Sequence, residues 1–218
     1  MLVVVVVIVL ASRGGGESAA ATTAATGTTA DPTAPRALFA GIPQRGDTVG
    51  KATAPATLLV FEDPQCPFCR EWNVEALPTV VRDFVRTGRV RLAFRGIKII
   101  GPNSQQGLEA IYAAGRQGKL WQMAEALYRR QGAENSGWIT PAVIRAAAAE
   151  AGAGPAKVLA GMSAAAPTIA ANEQQATQLG LQGTPSFYLQ RPPGVPQQVQ
   201  VTALDAATFS SELSAALQ

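Results

Sequence analysis

The chain has 218 residues, 47% of them hydrophobic, with a net charge of +3, which leaves room for one domain of about 170 residues once a polar N-terminal stretch is set aside. The positive charge is spread thinly, without the basic patch interleaved with aromatics that nucleic acid requires, so no nucleic-acid partner is expected. There is no histidine, which excludes Ser-His-Asp triads, Cys-His nucleophile pairs and most zinc enzymes.

Residues 2–11, LVVVVVIVLA, form the first apolar run. It is too short to cross ~30 Å of hydrocarbon as a straight helix, which needs about 20 residues, and it fits the apolar region of an export signal. No Lys or Arg precedes it and Arg13 follows it, as in a retained anchor, while Ala19, Ala20 and Ala21 offer a cleavage site. Cleavage and retention both stay open. Residues 12–35 are mostly Ala, Thr, Gly and Ser, the composition of a flexible tether. Structure signals remain sparse through Pro43. The division expected is a signal or anchor with its tether over 1–36 and one folded domain over 37–218, placed outside the cytoplasm, with membrane attachment as an open alternative.

Within that domain, residues 46–54 read as a short lead-in. Leu58, Leu59, Val60 and Phe61 form an unbroken apolar run, the pattern of a strand buried on both faces. Glu62 and Asp63 are expected on the loop that follows rather than buried. Residues 70–86 read as helix, with Trp72, Leu77, Val81, Phe84 and Val85 on one face; Pro78 predicts a kink or break. Gly88 suits the position just past a helix end. From 89 to 95 the chain alternates, Val90, Leu92 and Phe94 inward and Arg89, Arg91 and Arg95 outward, the last three read as a solvated sheet face.

Residues 104–117, 120–131, 140–151, 156–164 and 169–179 read as helices, with Thr140-Pro141 as an N-cap and first-turn proline. Trp121, Met123, Leu127, Tyr128 and Trp138 are better read as core than as a groove, because apolar residues at helical spacing are buried. Leu181, Pro185, Phe187 and Leu189 mark a strand, a Pro/Gly turn over 191–196 follows, and Val199 and Val201 return. Asp205 caps a last helix lined by Phe209, Leu213, Ala216 and Leu217.

Both cysteines of the chain fall in Cys66-Pro67-Phe68-Cys69, between the apolar strand and the helix. A helix N-terminus stabilises an anion, so a Cys66 thiolate is favoured there. A structural zinc site wants four Cys or His ligands, so zinc survives only as a site shared between two chains; a purely structural disulfide would close a longer loop. Redox chemistry is the reading these residues favour.

The stretch DPQCPFCREW resembles the active site of the DsbA-like branch of the thioredoxin superfamily, and Gly183-Thr184-Pro185-Ser186-Phe187 resembles its second motif. The resemblance covers roughly residues 47–217. It implies an α/β thioredoxin-like fold with a helical insertion at about 102–180, and an exported thiol–disulfide oxidoreductase. Cys66 would attack and Cys69 resolve, with Pro67 and Phe68 as the active-site dipeptide and Thr184 with a cis Pro185 positioning the substrate strand. Cys66 is expected nearer solvent and Cys69 shielded by Phe68. Phe68, lacking charge where relatives carry histidine, implies a weaker oxidant. The family's acidic residue, six positions before the first cysteine, is replaced here by Val60, which puts the usual proton route in doubt. No metal or cofactor is expected. The expected partners are exported proteins with cysteines and a membrane redox partner that recycles the dithiol, acting on a monomer. A disulfide oxidase leads; a reductase or isomerase of the same fold, and a non-catalytic binding module, stay open.

Overall fold

The structure, a computed structural model, describes Asp31 and residues 34–218. The export run, the cleavage candidates and nearly all of the tether lie outside the described residues. The first element is a single helical turn, α1 (Pro35–Leu38), followed by a hairpin of β1 (Gln44–Arg45) and β2 (Thr48–Val49). Residues 38 and 39, in a stretch where structure signals are sparse, already belong to the core. Leu38 and Phe39 are buried, Phe39 packs on Trp121 with ring centroids 6.1 Å apart, and Arg86 donates to the Leu38 carbonyl at 2.7 Å. The core reaches back to these residues because a bulky pair beside a proline-started turn has an apolar surface to land on.

The centre of the molecule is β3 (Thr57–Glu62), buried along its whole length. β4 (Arg91–Gly96) runs parallel to it on one side and β5 (Ser186–Gln190) antiparallel on the other; β6 (Gln197–Gln198) and the β1–β2 hairpin complete the order β1-β2-β4-β3-β5-β6. The parallel pair requires a crossover, supplied by one long helical passage: α2 (Pro67–Glu71), a π-helical turn at Trp72–Ala76, α3 (Leu77–Val80) and a second π turn at Val81–Val85. The expected break at Pro78 does not occur. The Leu77 N–H bonds back to Trp72, five residues earlier, so the wide turn takes up the proline without ending the helix.

The alternation of β3 sorts the core into two faces. Leu58 and Val60 face the cysteines together with Leu92, Phe94, Phe187 and Leu189, while Leu59 and Phe61 pack with Ala93, Ile97 and Tyr188 on the other side. The insertion then adds α4 (Pro102–Gly115), α5 (Leu120–Tyr128), α6 (Pro141–Ala151), α7 (Pro155–Gly161) and α8 (Ala166–Gln178). Trp121 of α5 lies edge-on to Phe94 at 5.8 Å, and α8 covers the opposite face through Ala176. Trp121, Met123, Leu127 and Tyr128 are core and Trp138 is partly buried. Asp205 accepts from Ala207 and Thr208 at the start of α9 (Ala206–Ala216), whose Phe209 packs between Trp72 and Phe187.

The arginine face is solvated only at Arg89, which is exposed. Arg91 and Arg95 are half-buried: Arg91 donates to Thr57 at 2.7 Å, Arg95 to Gln175 at 3.1 Å, and Arg95 pairs with Asp47. Arg89 lies over the Phe84 ring. The returning strand is shorter than expected, with Val199 donating to Phe187 just beyond β6.

Candidate active site

Cys66 is the last extended residue before α2 (φ −71°, ψ 121°), and Pro67 opens the helix, where its missing N–H costs no bond. Cys69 stands one turn further in, and both thiols are free. From the segment just before β5 comes Thr184, joined to Pro185 by a cis peptide bond; the Cys66 thiol donates to the Thr184 carbonyl at 3.1 Å. The two motifs, 118 positions apart, therefore meet at one sulfur.

The two thiols differ less in exposure than expected, 3% for Cys66 against 0% for Cys69. They differ in electrostatics. The hydrogen bond from Cys69 does most to hold Cys66 down at about 6, against burial; the Thr184 side chain and the backbone N–H groups of Cys69 and Phe68 assist. Cys69 moves the other way, well above its ordinary range, through burial first, then the bond it gives to Cys66 and the nearby Glu62 charge. Phe68 stands at the surface beside the dithiol. It is 59% exposed and lines a shallow cleft of about 250 Å³ with Thr184, Pro185, Phe187 and Leu204.

The loop before the cysteines is held by the insertion. Gln131 donates to the Pro64 and Cys66 carbonyls at 2.9 and 3.0 Å. Gln65, fully buried, bonds Ser104 and accepts from the Asn135 N–H at 2.8 Å. Asp63 is the hub. Its carboxylate accepts from the N–H groups of Gln65, Ile99 and Ile100 and from the Ser104 hydroxyl, all within 2.8 Å.

Glu62 and Asp63 are thus not on an exposed loop; both are completely buried. Glu62 is the residue that sequence reasoning missed. It ends β3 two positions beyond Val60 and so shares the face turned toward the cysteines. Its Oε1 accepts from Asn73 at 3.0 Å, and the same Asn73 nitrogen donates to the Cys69 carbonyl at 2.8 Å. Burial raises Glu62 to about 8, partly offset by Tyr128 and Asn73 and reinforced by the charges of Glu125 and Cys66. A buried acid therefore stands on the face that carries Val60, two residues further along β3. The period of two along β3 is the signal that points to it. Among the described residues, no group of three or more acids, cysteines or histidines converges as a metal site.

Residues 44–192 match the family model described as Thioredoxin. The probable disulfide bond formation protein D of Bacillus cereus is 34% identical over 95 residues, 43% of this chain and 44% of that protein; the match spans less than half the length of that curated relative. Among solved structures, oxidised BdbD from Bacillus subtilis superposes with a TM-score of 0.67 at 20% identity, covering 81% of this chain and 95% of that one. Chlamydia trachomatis DsbA gives 0.64 at 19% identity, over 78% and 88% of the two chains. A family match over this span, together with a sheet and insertion shared with DsbA-type structures, makes the chain a member of the thioredoxin family with the DsbA-like fold.

Proposed function

We propose that this chain is a thiol–disulfide oxidoreductase that oxidises cysteine pairs in exported proteins. The observation that carries this reading is the divergence of the two thiols, Cys66 pulled down to about 6 and Cys69 pushed up. A stabilised Cys66 thiolate is a good leaving group and favours the reduced form, which is what makes a dithiol an oxidant. Support also comes from the curated relative named as a disulfide bond formation protein.

In this reading a substrate thiolate attacks Cys66 of the disulfide form and Cys69 leaves. The second substrate thiolate then attacks the substrate sulfur of the mixed disulfide and releases Cys66 as thiolate. Thr184 and Pro185 hold the substrate strand beside Cys66, and Pro67 and Phe68 form the rim on which it rests. Glu62, mostly protonated at neutral pH given its raised value, gives the departing Cys69 its proton. The cleft beside Phe68 and Leu204 takes an apolar substrate side chain. A membrane redox partner withdraws the electrons, and the apolar segment at residues 2–11 carries the chain out of the cytoplasm. No helix among the described residues is long and apolar enough to cross a membrane.

The test is the reduction potential of the Cys66–Cys69 pair in glutathione buffers. The oxidase reading expects a value above about −180 mV, toward the oxidising end of thioredoxin-fold proteins. A value near the −270 mV of thioredoxin would assign the chain to reduction instead. Cell fractionation of the full chain checks the export claim, and recovery wholly in the cytoplasm would contradict it.

A further inference from the structure

Behind the dithiol, α5 carries a polar stripe inside a helix that is otherwise apolar and buried from end to end. Gln122, Glu125 and Tyr128 stand three residues apart, on one face, and all three are buried. Their hydrogen bonding is incomplete. Gln122 Oε1, Glu125 Oε2 and the Tyr128 hydroxyl have no partner among the described residues, and neither do Glu62 Oε2 and Asn73 Oδ1 on the active-site side. Buried polar atoms are normally satisfied, so such a group calls for a role or for bridging water.

These atoms are coupled to each other and to the site. The Tyr128 hydroxyl lies near enough to Glu62 to favour its charged form, short of a formed hydrogen bond, and the Glu125 charge is felt at Glu62. Tyr128 in turn feels Glu62, Cys69 and Asp63. On its outer side Glu125 accepts from Arg129 at 2.8 Å, and Glu150 of α6, itself paired with Arg130, bears on it as well. Arg129, Arg130 and Glu150 are all partly exposed. A line of ionisable groups therefore runs from the buried Cys69 to solvent at the back of the insertion.

We infer that Glu125 and Tyr128 form a proton relay that connects Glu62 with solvent at the Arg129–Glu150 rim. The relay rests on the redox reading above. When a substrate thiolate attacks Cys66, the Cys66–Cys69 bond breaks and its electron pair stays on Cys69. The Glu62 carboxyl gives its proton to that sulfur and becomes a carboxylate. The Tyr128 hydroxyl then passes a proton to Glu62 and regains one from Glu125 through bridging water, and solvent reprotonates Glu125. Reoxidation of the dithiol runs the same transfers backwards. Without the relay, Glu62 would be left charged in an apolar interior with no exit for the next proton. Burial raises Glu125 to about 7, opposed by Arg129, so both of its protonation states are available at neutral pH.

The experiment compares the full-length protein with Glu125→Gln and Tyr128→Phe. Single-turnover oxidation of a model dithiol peptide is followed from pH 5.5 to 8.5 in H2O and D2O. Carboxyl titration by 13C NMR of the reduced protein supplies a readout independent of turnover. The relay predicts that both variants slow oxidation about tenfold near pH 7, less than loss of a direct acid, with a larger solvent isotope effect and no shift in the Cys66 alkylation midpoint. It also predicts that Glu125→Gln lowers the Glu62 midpoint, and that Glu125→Asp recovers part of the rate. Wild-type rates and isotope effects in both variants would overturn the relay, as would an unmoved Glu62 midpoint. If Glu125→Gln does not fold, Tyr128→Phe decides by the same criteria. If the wild-type protein oxidises no dithiol while Glu62 still responds to Glu125, the redox reading has failed and the coupling has not.

Discussion

Two adjacent acids at the end of β3 sit in two differently built regions. Asp63 belongs to the outer region, where four donors from the loop, the 99–100 segment and α4 close around its carboxylate. Glu62 belongs to the inner region, where one oxygen has a single partner, the other has none, and the neighbours on α5 are equally incomplete. Both residues are completely buried. The difference teaches that burial alone does not mark a functional acid. A carboxylate saturated with donors holds a loop in shape; one left short of donors in an apolar interior is drawn toward the neutral form and can trade a proton.

Breaking the outer region has the largest expected effect. Asp63→Ala leaves three backbone N–H groups and the Ser104 hydroxyl without their acceptor, and should cost about 3–5 kcal/mol in urea unfolding. The Cys66–Thr184 contact should loosen with it. Next comes Val60→Glu. With Glu62 already on that face, a second carboxyl two residues away is buried in the same apolar interior, so it should destabilise by roughly 2–4 kcal/mol without speeding exchange at Cys69.

Glu62→Gln works in the opposite sense. A folded-state value raised from 4.5 to about 8 means that this residue's contribution to stability is fully present below about pH 4.5 and is lost as pH rises through about 8. The glutamine variant escapes that loss. It should be more stable than the wild type by roughly 1–3 kcal/mol at pH 9, with a smaller gain at pH 6, while exchange at Cys69 slows about a hundredfold. Parallel melts at the two pH values check the first half and single-turnover kinetics the second. Phe68→Ser sharpens the comparison from outside both regions. An exposed ring should change stability by less than about 0.5 kcal/mol and leave Cys69 as unreactive as before.

Much of the architecture was legible because it follows from local patterns. The apolar run before Cys66, the proline opening its helix, the capping residues Thr140 and Asp205, and the Thr184-Pro185 pair all stand where the sequence puts them. What was not legible depends on partners far away in the chain. Arg95 is paired rather than solvated because Asp47 and Gln175 lie 48 and 80 positions from it. The helix survives Pro78 because a π turn precedes it, a backbone choice with no marker in composition. Leu38 and Phe39 sit beside low-complexity sequence, and only the surface offered by Trp121 makes them core. Glu62 is the instructive case. Two consecutive acids after an apolar run read as a loop, and only the pleat, which sets Val60 and Glu62 on one face, reveals a buried acid on the side turned toward the dithiol.

The account rests on the opposite displacement of the two thiols, and one measurement reaches it directly. The reduced protein is alkylated with iodoacetamide across pH 4–10, and the rate at each cysteine is resolved by peptide mass spectrometry. Cys66 should react with a midpoint near 6, and Cys69 should remain unreactive until well above its ordinary value of 9.0. Since a depressed value stabilises the folded reduced form at higher pH, the Cys66 contribution to the stability of the reduced protein should be full above about pH 9, decline as pH falls, and be gone once pH has passed through about 6 in the same samples. Equal midpoints for the two cysteines, or a lower one for Cys69, would contradict the assignment of attack to Cys66 and resolution to Cys69.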